Sequence, residues 1–355
     1  MTFATLALIG VVALAGPALA ARESWRVPVM VGELLAGLAL GASGTGVLDA
    51  HDPTFQLLAD VGFVLLMFVA GSHVPVRDTQ VRAALGSGVL RAGLVAVVSA
   101  GLGVTIALVL GGGHAPLYAV LLASSSAALV LPTVDALRLG GPAVLSMTAQ
   151  VAVADIACMV ALPLTIVPQR AVAALGGLVL VAGGALLVLL VLREAQRRGL
   201  RRRWERVSKR RGFALELRVN LLLLFALAAL AVWAHISVML AGFALGLVVA
   251  AIGEPRRLAR QMFALADGFL GPLFYVWLGA SLDLSALGDS PRDLLLAAAL
   301  GVGAVLTHLV PRLVGQPAPL GLLASAQLGI PVAAATIGTQ TGALRPGEAA
   351  ALLLA

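Results

Sequence analysis

Apolar runs of roughly twenty residues alternate with short polar stretches along the whole chain. A helix needs about 20 residues, at about 1.5 Å each, to cross the hydrocarbon core of a bilayer. The runs predict spans at 3–20, 27–45, 55–73, 86–110, 116–135, 144–166 and 171–192. Further spans follow at 219–234, 236–252, 262–281, 294–310 and 318–341. A last apolar run starts at 349 and is cut off at 355, a thirteenth span only begun. The pattern predicts an all-α polytopic membrane protein of 12–13 transmembrane helices, one domain over 1–355 with no soluble module. Ala18-Leu19-Ala20 resembles a signal-peptidase site, but no Lys or Arg precedes the apolar run, so residues 3–20 are read as a span.

Basic residues orient these spans. With the odd-numbered connections placed inside, 21 of the 24 Lys and Arg fall there, and only Arg170, Arg292 and Arg345 fall outside. Eleven lie between Arg193 and Arg218, which reads as a basic cytoplasmic loop facing anionic headgroups rather than a nucleic-acid surface. The N-terminus is then expected outside the cell membrane, and no Lys or Arg is expected deep within a span.

Two spans look interrupted. Ser124-Ser125-Ser126, followed by Pro132, stands at mid-membrane depth in one. Ser325-Ala326-Gln327-Leu328-Gly329-Ile330-Pro331 does the same in the last full span. Backbone groups freed at that depth must be satisfied by protein or by a water-lined cavity. A pair of interrupted segments in two halves is a sequence pointer to a transporter's binding site.

Candidate chemistry concentrates near these breaks. Asp155 lies in the middle of the sixth span, where a charge costs about 2.5–3.5 kcal/mol. A carboxylate there suits binding of a proton or of a transported monovalent cation, Na⁺ or K⁺, both of which take oxygen ligands. Ser125, Ser126 and Gln327 are candidate further ligands, although serines also cap broken helix ends. His308 is the only histidine in the interior of a predicted span, a candidate second titratable group or a packing residue. Glu33 and Asp60 read as interfacial or helix-pairing residues, Glu216 and Asp267 as solvated, and Asp283 as a cap where the tenth span ends.

Composition narrows the class. Residues are 60% hydrophobic and 12% charged, against about a half and a quarter in soluble domains. The 40 glycines suit helices that approach closely in lipid. One cysteine, Cys158, allows no intramolecular disulfide and reads as a small buried hydrophobe. No paired carboxylates, His-rich metal cluster or nucleophile elbow appears, and Gly111-Gly112-Gly113-His114 follows no strand and precedes no Lys, so neither an enzyme nor a cofactor is expected.

Several stretches resemble one family. Gly32-Glu33-Leu34-Leu35-Ala36-Gly37 with Gly41-Ala42-Ser43-Gly44 looks like the opening motif of cation:proton antiporters, the sodium/hydrogen exchanger superfamily in its Kef-like branch. Leu58 to Gly71, Ser124-Ser125-Ser126-Ala127, Ala241 to Leu247 and Phe274 to Gly279 are similar to later motifs, in register. The resemblance implies a homodimer with a dimerisation domain and a six-helix core, built as inverted repeats. Two unwound helices would cross beside an essential aspartate, here Asp155, with elevator-like alternating access in the plasma membrane. Ala154 replaces the family's Asp, Asn or Gln, and His308 stands nearest the family's basic residue. A sodium-coupled organic-anion transporter and a non-transporting sensor are the alternative readings.

Overall fold

A computed structural model describes residues 1–21, 28–74, 76–111, 113–200, 211, 213–253, 256–282, 284–288 and 290–355. Arg22, Arg26, Asp283 and, within the 193–218 loop, residues 201–210 and 212 lie outside the described residues.

The helices are α1 (Phe3–Ala13), α2 (Ala15–Ala20), α3 (Val29–Leu40), α4 (Pro53–His73), α5 (Thr79–Ala83) and α6 (Leu85–Leu110). Then come α7 (Ala115–Ala123), α8 (Ala127–Ala136), α9 (Pro142–Ile166), α10 (Ala171–Arg197), α11 (Leu215–Trp233) and α12 (Val238–Ile252). The rest are α13 (Arg256–Leu265), α14 (Gly271–Ser281), α15 (Leu284–Gly288), α16 (Pro291–Leu309), α17 (Ala318–Ala324), α18 (Gly329–Gln340) and α19 (Pro346–Leu354). A π-helical turn, Ala266–Leu270, joins α13 to α14. Among the described residues, nine helical stretches are long and apolar enough to cross a membrane. Each predicted span coincides with a helix or a pair of half-helices.

The helices sort into two bodies. A scaffold packs α3 against α14 and α4 against α12. Backbones meet directly there: a Cβ added to Gly242 or Gly246 would lie 2.3 Å from the carbonyl oxygen of Val64 or Phe68. A core packs α6 against α7 and α9, with α16 lying on α6, α7 and α19. Helix α10 touches both, running along α9 on one side and α11 and α12 on the other. The two broken spans are the fifth and the twelfth. The two breaks lie seven crossings apart, so their spans run in opposite directions, one on either side of α10 in the chain.

At one end of the core, the Tyr118 hydroxyl donates to Glu348 Oε1 at 2.6 Å, joining α7 to α19. Arg345 lies 3.5 Å from the buried Asp293 carboxylate, joining α19 to α16. The C-terminal end of α10 and the start of α11 lie at the opposite face, called the basic face below.

Three expectations change. Arg91 is not a loop residue but the seventh residue of α6, only 8% exposed, because the start of α6 packs closely on α9, with Gly88 against Ala149 and Gln150. Both carboxylate oxygens of Glu216 are sealed without a hydrogen bond rather than solvated, since it opens the apolar helix α11. Pro132 falls inside α8 and does not make the first break. Glu33 does pair helices, its Cγ lying 2.7 Å from a Cβ built on Gly16.

Candidate ion site at the crossed half-helices

The first break begins where Ser124 turns extended, at φ −73° and ψ 147°, after α7. The second runs from Ser325 to Leu328, between α17 and α18. Pro331 sits in the first turn of α18, where a missing N–H is harmless. Each break leaves helix-end groups unpaired, and the two breaks satisfy one another. The Ser126 N–H donates to Ala326 O at 2.9 Å, and the Ser125 hydroxyl donates to Ala324 O at 2.7 Å. The Ser124 hydroxyl donates to Gln327 Oε1. Serine is the residue for this job, since its hydroxyl reaches a neighbouring carbonyl without a bulky side chain at the crossing.

Asp155 enters from α9. It is 3% exposed, and its Oδ2 accepts the Ala127 N–H at 3.0 Å. Ala127 is the first residue of α8, so the carboxylate faces a helix N-terminus, where amide donors and the macrodipole favour negative charge. Its other oxygen takes no hydrogen bond from the described residues, which leaves that lone pair for a proton or a cation.

His308 is 1% exposed and reaches the same crossing from α16. Its Nδ1 lies 2.8 Å from Ala304 O, which requires a proton on that nitrogen. Its Nε2 lies 3.1 Å from Ser125 Oγ. Thr307, which sequence reasoning did not select, donates to Leu122 O at 3.0 Å and fixes α16 against the end of α7. Its place beside His308 was the available signal. The amide of Ala127 was missed as well, because a backbone group leaves no mark in a sequence.

All five predicted residues thus gather at one place: Ser125 and Ser126 in the first break, Gln327 in the second, Asp155 and His308 on flanking helices. Ala154 is buried and adds no ligand beside Asp155. Among the described residues no group of three or more His, Cys, Asp or Glu could hold a metal ion. The site is therefore one carboxylate with hydroxyls, an amide and backbone dipoles.

Between scaffold and core, on the face opposite the basic one, lies a cavity of about 490 Å³. Leu48, Gln56 and Trp277 line its scaffold side, and Thr336, Thr339 and Leu353 its core side.

Crossed half-helices beside a buried carboxylate are the arrangement from which broken-helix membrane transporters build their binding sites. The chain belongs to the transmembrane sodium/hydrogen exchanger family, whose pattern matches residues 10–355. It is 25% identical over 381 residues to the provisionally named Na(+)/H(+) antiporter YjbQ of Bacillus subtilis (strain 168), matching 99% of this chain and 60% of that protein. The chain thus spans about 60% of the length of that relative. A stretch of 56 residues is 43% identical to the Na(+)/H(+) antiporter NhaS5 of Synechocystis, covering 16% of this chain and 8% of that protein. The fold matches the sodium proton antiporter MjNhaP1 of Methanocaldococcus jannaschii with a TM-score of 0.62, at 18% identity, over 98% of this chain and 92% of that one.

Proposed function

We propose that this chain exchanges a monovalent cation, Na⁺ or K⁺, for protons across the plasma membrane, with Asp155 carrying the two ions in turn. The observation that carries this reading is the Asp155 carboxylate, sealed beside the crossed breaks with one oxygen on the α8 N-terminus and the other uncommitted. A proton and a cation then compete for one site, and competition is what couples their movements. Ser125, Ser126 and Gln327 supply further oxygens.

The cavity between scaffold and core supports elevator-type alternating access, in which the core slides as a body past the scaffold. The charge split supports an N-terminus outside and a cytoplasmic 193–218 loop. The reading includes a homodimer, as the resemblance in sequence implies.

The test is dissipation of a preset pH gradient in proteoliposomes on addition of Na⁺, K⁺ or Li⁺. Proton efflux driven by Na⁺ or K⁺ is expected. A gradient that no cation collapses, in protein shown to be folded, would overturn the exchanger reading.

A further inference from the structure

Three buried side chains of the core carry sealed polar atoms with no hydrogen-bond partner among the described residues, and all three lie in its half nearer the basic face. Arg91 on α6 is 8% exposed, with Nη1 buried and unpartnered. Gln150 on α9 is 1% exposed, and both its amide atoms lack partners. Gln316, between the 310–314 turn and α17, is 2% exposed with the same deficiency.

Packing brings these elements to one level. Ser87 Oγ meets Ser146 Oγ at 2.6 Å, and a Cβ built on Gly88 would lie 2.8 Å from the Gln150 backbone nitrogen. Arg91 follows Gly88 by three residues and shares its face towards α9. Helix α16 runs antiparallel to α6 with Gly303 against Leu102. Equal rise along the two helices then sets the 310–314 turn level with Val95 and Arg91. That turn packs on α6, and the Gln316 N–H closes it on Pro311 O at 3.1 Å.

The charge there is uncompensated. Arg91 makes no ion pair among the described residues. Asp155, the acid on α9, is bonded to Ala127 and stands five residues on from Gln150, about 140° round the helix, so it faces α8 instead. On α16, Asp293 belongs to the opposite end of the core. A sealed N–H or amide left without a partner carries its full desolvation penalty, so Nη1 of Arg91 and the two amides together favour a bound acceptor. Donors outnumber acceptors in this group: a guanidinium, two amide NH₂ groups and the paired hydroxyls of Ser87 and Ser146. Only Nη1 of Arg91 is both sealed and unpartnered, so the rest of the guanidinium keeps a way out to the basic face.

We propose that Arg91, Gln150 and Gln316 form a binding site for a small inorganic anion, chloride or phosphate, entered from the basic face. The anion supplies the missing counter-charge and joins the bases of α6, α9 and α17. Core stability then depends on anion concentration.

The test uses the purified full chain in detergent, at fixed Na⁺ and ionic strength, with gluconate replaced stepwise by chloride or by inorganic phosphate. Thermal unfolding reads binding directly and does not depend on transport. A saturable rise in Tm with either anion is expected, abolished in Arg91→Gln and reduced in Gln150→Leu. If Arg91→Gln does not fold, Gln316→Leu takes its place, and a lost rise supports the site. No saturable dependence in the wild type overturns the proposal. So does a rise undiminished in the variants, or stabilisation by anionic-lipid vesicles alone, which would assign the arginine to the membrane surface.

Discussion

Scaffold and core solve the same problem by opposite means. Lipid offers helices no hydrophobic reason to associate, so packing must come from close approach or from polar bonds. The scaffold uses approach. Glycines let α4 and α12 touch backbone to backbone, and Phe63 stacks on Phe274 at 4.6 Å with ring planes 9° apart. The core uses polar bonds instead, and its central contacts run from serine and threonine side chains to carbonyls of broken helices, and from His308 to the Ser125 hydroxyl. Backbone contact has one good arrangement. A hydrogen bond to a hydroxyl can be exchanged for one to water or an ion at small net cost, since a made bond is worth only about 0.5–1.5 kcal/mol. The contrast teaches that close backbone packing and exchangeable polar bonds are allotted to different bodies of one fold.

The largest effect tests the core. Asp155→Asn keeps the volume but cannot exchange a proton, so exchange should vanish while expression and thermal unfolding stay near wild type. Exchange at the wild-type rate would remove Asp155 from the mechanism. Next comes the scaffold. Gly246→Val forces a side chain onto the Phe68 carbonyl, and overpacking of this kind costs about 1–3 kcal/mol or more. A large fall in Tm is expected, whereas Gly93→Val, with nothing within 4 Å, should change little. Equal effects of the two would erase the distinction drawn for the scaffold. Smaller again is Ser125→Ala, which leaves the buried Ala324 carbonyl without its hydroxyl donor, a loss of about 1–3 kcal/mol readable as a lower Tm.

Much of the fold was legible in the sequence, because span length is a local signal. The fifth span, predicted at 116–135, is the half-helices Ala115–Ala123 and Ala127–Ala136, and its serines announced the break. What the serines bind was not legible: Ser125 and Ala324 are 199 residues apart, and nothing local to either names the other. Arg91 misled for a related reason. A charge near a helix start looks interfacial, and its burial is decided by α9 and α16, which pack over it. Glu216 failed likewise at the start of α11.

The smallest effect is an expected absence, and it concerns stoichiometry. His308 and Asp155 are joined through three consecutive residues, Ser125, Ser126 and Ala127. The Ser125 hydroxyl has one proton. If it goes to Ala324 O, as its 2.7 Å bond indicates, Nε2 must donate to Ser125, and with Nδ1 already protonated the ring is cationic. If it goes to Nε2, the ring is neutral and Ala324 O loses a donor, at about 1–3 kcal/mol. A lone charge at this depth costs about 2.5–3.5 kcal/mol, so it outweighs the lost bond unless an opposite charge is near. The ring is then cationic only while Asp155 is ionised and empty. With Asp155 protonated or holding a cation, the ring is neutral. Every state of the crossing has the same net charge, and one proton leaves for each cation that enters. Exchange should be electroneutral. The measurement is Na⁺-driven proton flux in proteoliposomes with a membrane potential set by K⁺ and valinomycin. The rate should not change with potential in the wild type. In His308→Gln it should slow, because the empty carboxylate loses its counter-charge, and remain insensitive to potential. A clear voltage dependence in the wild type, lost in His308→Gln, would sink the one-for-one scheme and make the histidine a second proton carrier.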